Sequence, residues 1–290
     1  MPELPEVETV RAGLAPALEG RTITRLQLNR ADLRIPFPPE LVTTLEGARI
    51  THLRRRAKYL LMQLDRPATA IIHLGMSGRM LLHPAAVNHF DTHDHVAMTL
   101  NDGQMLVFND ARRFGLWTLA NAKHLNDHPL LAHLGPEPLE KGFTGEYLHQ
   151  ALAKRGAEIK PVLMDQKLVV GVGNIYASEA LFGAKIHPQR AANSLSLAEC
   201  VRLVACIQSV LRAAIVSGGS TLRDFVRSSG DIGYFQHHFA VYGRGSQPCT
   251  VCGTPIAQIT QAARSSFFCP VCQPQNPSIS TPKKRRPSGK

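Results

Sequence analysis

The sequence predicts an α+β protein with an N-terminal helix, an antiparallel β-sandwich, a helical C-terminal region and a small terminal hairpin. Three changes of pattern along the chain predict this fold. Apolar residues first recur at helical spacing: Leu4, Val7, Leu14 and Leu18. Short runs rich in Ile, Leu, Val and Thr then follow, separated by Gly, Pro, Asn or Asp, which is typical of an antiparallel sandwich. From about residue 144 the apolar spacing becomes helical again.

The alternating runs predict eight strands, at residues 22–29, 49–55, 58–65, 69–75, 78–83, 94–100, 104–109 and 114–119. The later pattern predicts five helices, at residues 144–154, 160–166, 175–182, 196–217 and 220–228. Between the last two, Gly218 and Gly219 end one helix and Ser220 caps the next.

We expect two lobes joined by a stiff hinge at residues 126–140, where Pro129, Pro136 and Pro138 lie. The domains on either side are predicted as a sandwich at 1–125, a helical domain at 141–235, a hairpin at 236–273 and a disordered basic tail at 274–290. Two lobes with a hinge enclose a cleft, which is where we expect the functional site.

The charge of the chain favours a polyanionic partner. Its 290 residues carry a net charge of +11, and its pI is about 9.7. Five basic residues lie in 278–290, yet the remaining 28 basic and 22 acidic residues still leave the body basic. Charge alone leaves nucleic acid, ribosomal and membrane-surface roles open. Because no run of 18 apolar residues and no signal-peptide pattern occurs, we expect a soluble cytoplasmic monomer that does not bind membranes.

Four cysteines form two CxxC pairs separated by sixteen residues: Cys249, Cys252, Cys269 and Cys272. Two such pairs supply the four thiolates of a closed tetrahedral site, so we expect one structural Zn²⁺ and no organic cofactor. A redox pair is the alternative, but it is typical of a single CxxC beside a βαβ unit. Residues 253–268 between the pairs predict a β-hairpin with its tip at 261–265. Cys200 and Cys206 are interpreted as reduced packing residues.

The first residues of the chain carry a possible nucleophile. Removal of Met1 exposes the secondary amine of Pro2. An α-amino group titrates near ~8 and a lysine near ~10.4, so the terminal amine is the better nucleophile at neutral pH. Its attack on a sugar C1′ gives a cationic iminium, an electron sink for elimination, and Glu3 is placed to move protons. An ordinary helix start explains the same residues and is compatible with this chemistry.

Two further motifs admit more than one interpretation. A cluster of His and Asp, namely His89, Asp91, His93, Asp94 and His95, resembles a divalent-metal site. Adjacent strand residues point to opposite faces, however, so we disfavour a catalytic metal there. The stretch 171–174, Gly-Val-Gly-Asn, is either a tight turn or a set of backbone amides that approach a phosphate at a helix N-terminus.

Several blocks of the sequence together resemble the bacterial formamidopyrimidine-DNA glycosylase (Fpg) family. The similarity is collinear from residue 1 to about 273. Its blocks are residues 1–9, 55–60, 73–78, 112–115, 133–139 and 167–178 and the four cysteines. Leu4 favours this family over its relative endonuclease VIII, which usually carries glycine there.

The resemblance implies a bifunctional DNA glycosylase and AP lyase that binds damaged duplex DNA through a helix–two-turns–helix element. It would remove oxidised purines such as 8-oxoguanine and formamidopyrimidines in base-excision repair, with Pro2 as nucleophile. Successive β- and δ-elimination would then cut the strand. A bacterial, nucleoid-associated location follows from the same resemblance. An endonuclease VIII-like preference for oxidised pyrimidines and a catalytically dead zinc-ribbon DNA-binding protein remain the alternatives.

The resemblance also assigns individual residues. Lys58, at the start of a predicted strand, would contact the flipped nucleotide's phosphate and assist elimination, and Arg264 would hold a phosphate beside the lesion. Glu6 would orient the site. Other implied DNA contacts are His93, Arg155, Lys160, Asn174 and a wedge of Met76, Arg112 and Phe114 that replaces the extruded nucleotide. Ala111 stands where the family commonly has proline, so we expect a looser wedge loop. Residues 218–235 resemble the loop that closes over the base.

Overall fold

The computed structural model describes residues 2–85, 89–219 and 239–275. The predicted helix at 220–228, most of the predicted base-closing loop and the tail from residue 276 lie outside these ranges. Within the described residues, no helix has both the length and the apolar character that crossing a membrane requires.

The N-terminal half is an antiparallel sandwich that opens with helix α1 (Leu4–Leu18). All eight predicted strands are present: β1 (Ile23–Leu28), β2 (Ile50–Arg56), β3 (Tyr59–Leu64), β4 (Ala68–His73), β5 (Arg79–His83), β6 (Asp94–Leu100), β7 (Met105–Asn109) and β8 (Leu116–Asn121). They form two four-stranded sheets, in the orders β1-β6-β7-β5 and β2-β3-β4-β8. The predicted fold class is confirmed.

The core of this half lies between the sheets and under α1. Val7, Leu14 and Leu18 of the helix share one apolar cluster with strand residues, among them Trp117 and Phe108. Full burial of each such aliphatic side chain contributes about 1.5–3 kcal/mol. The helix therefore depends on the sandwich for stability, and this fixes the position of the residues just before it.

In this half the structure contains two short elements that the sequence did not predict, and one strand ends earlier than predicted. A short helix, α2 (Leu41–Leu45), and a 3₁₀ segment (Ala122–Asp127) were not predicted, because neither is long enough to show a period. Strand β4 ends at His73 rather than at residue 75, because Gly75 has a φ of +65°. A Cβ atom on Gly75 would lie 2.3 Å from the carbonyl carbon of Phe114, so only glycine permits this close approach of two loops.

The C-terminal half is helical, with α3 (Gly145–Leu152), α4 (Ile159–Leu163), α5 (Asn174–Gly183) and α6 (Leu197–Val216). These match four of the five predicted helices. Ser196 and Glu199 form a capping box that begins α6, in which each side chain accepts the other residue's backbone N–H. A second apolar cluster joins all four helices, and α6 also contacts α1.

A two-stranded hairpin follows the helices, with β9 (Ala257–Gln261) and β10 (Arg264–Phe268) paired antiparallel. Ala262 and Ala263 form the turn with φ values of +47° and +59°. The predicted hairpin is present, and Arg264 begins its second strand beside the tip.

The predicted hinge is tied to both halves through short contacts. Glu137, which is 6% exposed, accepts bonds from Arg55 (2.7 Å), Arg56 (3.0 Å) and the backbone N–H of Ala57 (2.6 Å). On the helical side, Gly135 donates its N–H to the carbonyl of Gln166 at 2.8 Å. The linker is therefore held in place, and the positions of the domain boundaries stay a prediction.

The Glu137 contacts predict a large and local stability effect. Replacing Glu137 by Ala removes one acceptor from each of two arginines and leaves the buried Ala57 N–H without its acceptor, which should cost about 1–3 kcal/mol in the free energy of unfolding. Glu140→Ala, a change at an exposed glutamate three residues on, should cost less than about 0.5 kcal/mol. Urea denaturation of both variants tests this, and equal midpoints would contradict it.

Candidate active site

Glu3 lies where the two halves of the protein meet. Its carboxylate accepts the backbone N–H groups of Gly173 (2.7 Å) and Ile175 (2.9 Å), at the first turn of α5. Leu4 donates its own N–H to the carbonyl of Gly171 at 3.0 Å. The end of the chain is thus docked onto the N-terminus of a helix more than 160 residues away, where free amides and the helix dipole favour a negative charge.

Gly171 and Gly173 leave the space that this close contact requires. A Cβ atom on Gly173 would lie 2.4 Å from Cδ of Glu3, and one on Gly171 would lie 2.6 Å from Cβ of Leu4. Within the stretch 171–174, for which the sequence leaves a tight turn and phosphate-binding amides open, the Gly173 N–H is bonded to Glu3 and is not free for a phosphate.

Lys58 belongs to the same buried group. It lies in the two-residue turn between β2 and β3, beside Ala57 with its φ of +53°, and not within a strand as predicted. Lys58 is 8% exposed, and within the described part of the chain its ammonium group makes no hydrogen bond. A buried amine next to a buried carboxylate is typical of a reactive site.

Burial shifts the pKa values of both groups toward their neutral forms. Desolvation raises the pKa of Glu3 above its usual value, with the nearby Lys58 charge opposing the shift and Glu6 adding to it. Desolvation lowers the pKa of Lys58; Glu3 and Glu6 oppose this shift, and Arg264 adds to it. The pair therefore exchanges protons more readily than an exposed Glu and Lys would.

Glu6 holds this arrangement from inside α1. Its carboxylate accepts the backbone N–H of Glu3 at 2.9 Å and the hydroxyl of Tyr176 at 2.6 Å. Pro2, between the docked helix and Met1, is buried. Residues from α1, α5 and the β2–β3 turn thus converge on the N-terminus of the chain.

His73 also lies close to Lys58, although no pattern in the sequence predicted a role for it. Its Nδ1 accepts the N–H of Gly75 at 2.9 Å, and its ring lies 5.0 Å from that of Tyr59. Burial, with the charges of Lys58 and Arg34 adding to it, lowers the pKa of His73 to about 4. Its place in the block 73–78 was the available signal, but a lone histidine in that block has no spacing that indicates a role.

The predicted wedge residues lie on two adjacent loops. Met76 is half-buried, Phe114 is 45% exposed, and the Arg112 guanidinium lies 4.9 Å from the centre of the Phe114 ring. Buried Asp110 accepts the Ser77 hydroxyl at 2.6 Å and the Gly115 N–H at 2.7 Å. The loop that Ala111 was expected to loosen is therefore fixed from beneath by a carboxylate.

The four other predicted DNA contacts have different surroundings. His93 is exposed, and Arg155 forms an ion pair of 2.7 Å with Asp165. Lys160 is 1% exposed and donates to Asn174, Ser265 and Ser266. The contacts of His93, Arg155, Lys160 and Asn174 with DNA stay predictions.

The His and Asp cluster is bonded within the protein. His95 Nε2 lies 2.9 Å from the carbonyl of Asp110. The Asp94 carboxylate accepts from Asn109 at 2.7 Å and from the Asp91 N–H at 2.8 Å. These polar groups hold the start of β6 and serve a structural role.

The four predicted zinc ligands do converge. Their sulfur atoms lie within 4.8 Å of one another, with separations of 3.9 Å for Cys249–Cys272 and 3.4 Å for Cys252–Cys269. Four thiolates at a Zn–S distance of about 2.3 Å are about 3.8 Å apart in a tetrahedron, so the site fits Zn²⁺. With four protein ligands the ion has no open position, and it holds the ribbon rather than reacting.

Comparison with known proteins agrees with this geometry along nearly the whole chain. The formamidopyrimidine-DNA glycosylase N-terminal domain matches residues 1–117, its H2TH domain matches 134–226, and a zinc finger found in FPG and IleRS matches 246–275. The chain belongs to the formamidopyrimidine-DNA glycosylase family. The family predicted from the sequence is thus confirmed, as is the single structural zinc.

The relatives and solved structures similar to this chain are full-length matches. The formamidopyrimidine-DNA glycosylase of Paracoccus denitrificans is 50% identical over 282 residues, which are 94% of this chain and 100% of the relative. That of Thiobacillus denitrificans is 52% identical over 277 residues, with the same coverage. The Fpg (MutM) crystal structure from Thermus thermophilus has a TM-score of 0.85 at 40% identity, covering 95% of this chain and 100% of that one. A Lactococcus lactis Fpg variant bound to DNA that contains Fapy-dG has a TM-score of 0.87 at 36% identity, covering 94% and 100%.

The zinc geometry predicts the effect of removing one ligand. Cys269→Ser should lower the zinc content and the affinity for lesion DNA together, because the ribbon carries Arg264. Cys206→Ser, at a half-buried cysteine outside the cluster, should change neither. Metal analysis and a binding titration test this, and near-normal zinc with normal binding in Cys269→Ser would contradict it.

The lowered pKa of His73 predicts its titration. In the free protein the ring should stay neutral down to about pH 4 and be protonated below it. Because the folded pKa lies below the unfolded one of about 6.5, stability from this group is complete above pH 6.5 and is lost as pH falls toward 4. NMR titration of the imidazole measures it, and a midpoint at 6.5 would contradict the burial described.

Proposed function

We propose that this chain, whose relatives are named formamidopyrimidine-DNA glycosylase, is a bifunctional DNA glycosylase and AP lyase of base-excision repair. Its substrates are damaged duplex DNA with oxidised purines, 8-oxoguanine and formamidopyrimidines. The observation that carries the proposal is the docking of Glu3 onto α5 beside Lys58, since it supports a role for the adjacent Pro2, whose amine becomes free once Met1 is removed. A terminal amine in such surroundings suits Schiff-base chemistry.

The first step removes the base. The Pro2 nitrogen forms a bond to C1′ while the bond between C1′ and the nitrogen of the base breaks. The electron pair leaves with the base, which takes up a proton. The nitrogen then loses its proton, and its lone pair opens the sugar by expelling O4′, giving the iminium. Glu3, whose pKa is raised by burial, is suited to pass a proton to O4′.

The next steps cut the strand. Loss of a proton from C2′ gives an enamine, whose electrons expel the 3′ phosphate as the C3′–O bond breaks. Loss of a proton from C4′ then drives out the 5′ phosphate, and water hydrolyses the iminium that remains. Lys58, with its lowered pKa, is suited to accept such a proton, and the Arg264 guanidinium is suited to stabilise a departing phosphate.

The DNA contacts form a second part of the proposal. We propose that His93, Arg155 and Asn174 act on the phosphodiester backbone, while Met76, Arg112 and Phe114 fill the gap left by the extruded nucleotide. The exposed Phe114 with Arg112 stacked on it supports this role, since an apolar wedge keeps the base stack from collapsing. We further propose a monomer that works in the bacterial cytoplasm on nucleoid DNA.

Replacing the nucleophile tests the proposal. The wild type should release 8-oxoguanine opposite cytosine and cut the strand, and Pro2→Gly should lose at least about a hundredfold in both steps, because it lacks the secondary amine. A panel with oxidised pyrimidines tests the endonuclease VIII-like alternative, which a pyrimidine preference would favour. Equal cutting by Pro2→Gly would contradict Pro2 as the nucleophile, and binding without any cutting by the wild type would favour the catalytically dead zinc-ribbon alternative.

Salt dependence tests the mode of DNA binding. Each phosphate neutralised by Lys or Arg should contribute about −0.9 to the slope of log K against log salt. Several contacts should therefore weaken binding steeply between low and physiological salt. Titrations at a series of salt concentrations measure the slope, and a flat response would contradict backbone recognition.

A further inference from the structure

Lys160 has surroundings that its predicted role does not explain. Its ammonium group donates to Asn174 Oδ1 (2.6 Å), to the Ser265 carbonyl (3.0 Å) and to Ser266 Oγ (2.7 Å). Lysine has three ammonium protons, and all three are used. At 1% exposure it has no donor left for a phosphate unless one of these bonds breaks.

The acceptors join two parts of the active site. Ser265 and Ser266 directly follow Arg264 on β10, while Asn174 begins α5, whose first amides hold Glu3. Asn174 Nδ2 also donates to the Ser265 carbonyl at 3.0 Å. One buried ammonium group thus fixes the strand that carries Arg264 to the helix end that carries the proton-transfer group.

Arg264 depends on this support because no other described residue bonds to its side chain. Its guanidinium is exposed and makes no hydrogen bond to another described residue. It lines a cavity of about 150 Å³ together with Lys160 and Gln261. Its position is therefore set by its backbone, and that backbone is held by the bonds to Ser265 and Ser266.

Burying the Lys160 ammonium group costs desolvation free energy, so we look for a function that its charge serves. Desolvation lowers the pKa of Lys160 to about 8, with the Arg264 charge adding to the shift and Glu3 opposing it. An apolar side chain would fill the same space without that penalty. What the ammonium adds is a fixed geometry between β10 and α5.

We infer that Lys160 is a positioning residue that sets Arg264 against the departing phosphate, and that it is not a direct DNA contact. The inference rests on the proposed function. When a C–O bond of the sugar breaks during elimination, its electron pair leaves on the phosphate oxygen, and Arg264 stabilises that charge. Displacement of Arg264 slows this departure, while attack of Pro2 on C1′ is left largely unchanged.

The test separates the two steps on a duplex with a preformed abasic site. Borohydride trapping measures formation of the Schiff base, and denaturing gels measure strand cleavage. Lys160→Met and Ser266→Ala should lower the ratio of cleavage to trapping roughly ten- to a hundredfold, as expected for a misplaced catalytic group. Arg264→Ala should lower it similarly, and Lys160→Met added to Arg264→Ala should cause no further loss. Lys123→Met, at an exposed lysine, is the matched control.

Zinc content checks that each variant keeps its ribbon, and Ser266→Ala carries the test if Lys160→Met does not fold. Additive losses in the double variant would overturn the inference. So would a Lys160→Met protein whose only defect is weaker binding with a salt slope reduced by about one, because that result indicates a phosphate contact. Absence of trapping in the wild type would instead overturn the proposed function.

Discussion

The rest of the active site depends on the bonds between the Glu3 carboxylate and the first turn of α5. They join the first residues of the chain to the helical half, and they fix α1, the sandwich beneath it and the amine of Pro2 relative to one another. A negative charge at a helix N-terminus is favourable, and this offsets part of the cost of burying the Glu3 carboxylate. The glycines at 171 and 173 permit the contact, since a side chain at either position would collide with Glu3 or Leu4.

Around that junction the protein keeps several ionisable groups away from water. Glu3, Glu6, Lys58 and Lys160 are each at most 8% exposed. Burial weakens both the acid and the base, which brings their pKa values toward each other and makes proton exchange at neutral pH easier. The same burial makes Lys58 a rival nucleophile, because a desolvated lysine is a better nucleophile than an exposed one. The site therefore holds two amines that could act as the nucleophile, those of Pro2 and Lys58.

The sequence predicted what local patterns encode. The eight strands follow from alternation and from turn residues, four helices follow from the apolar period, and the cysteine spacing indicated zinc. Contacts between distant residues have no such signal. The docking of Glu3 onto Gly173 spans 170 residues, and the bond from Lys160 to Ser266 spans 106. For this reason the sequence predicted neither the bond from Gly173 to Glu3 nor the position of His73 close to Lys58.

The most direct test of this account is borohydride trapping on a duplex with 8-oxoguanine opposite cytosine, followed by peptide mass mapping of the adduct. The account predicts one adduct, on the N-terminal peptide that begins at Pro2, because Glu3 holds that amine at the junction of the two halves. An adduct on the peptide that contains Lys58 would contradict it and would make the buried lysine the nucleophile.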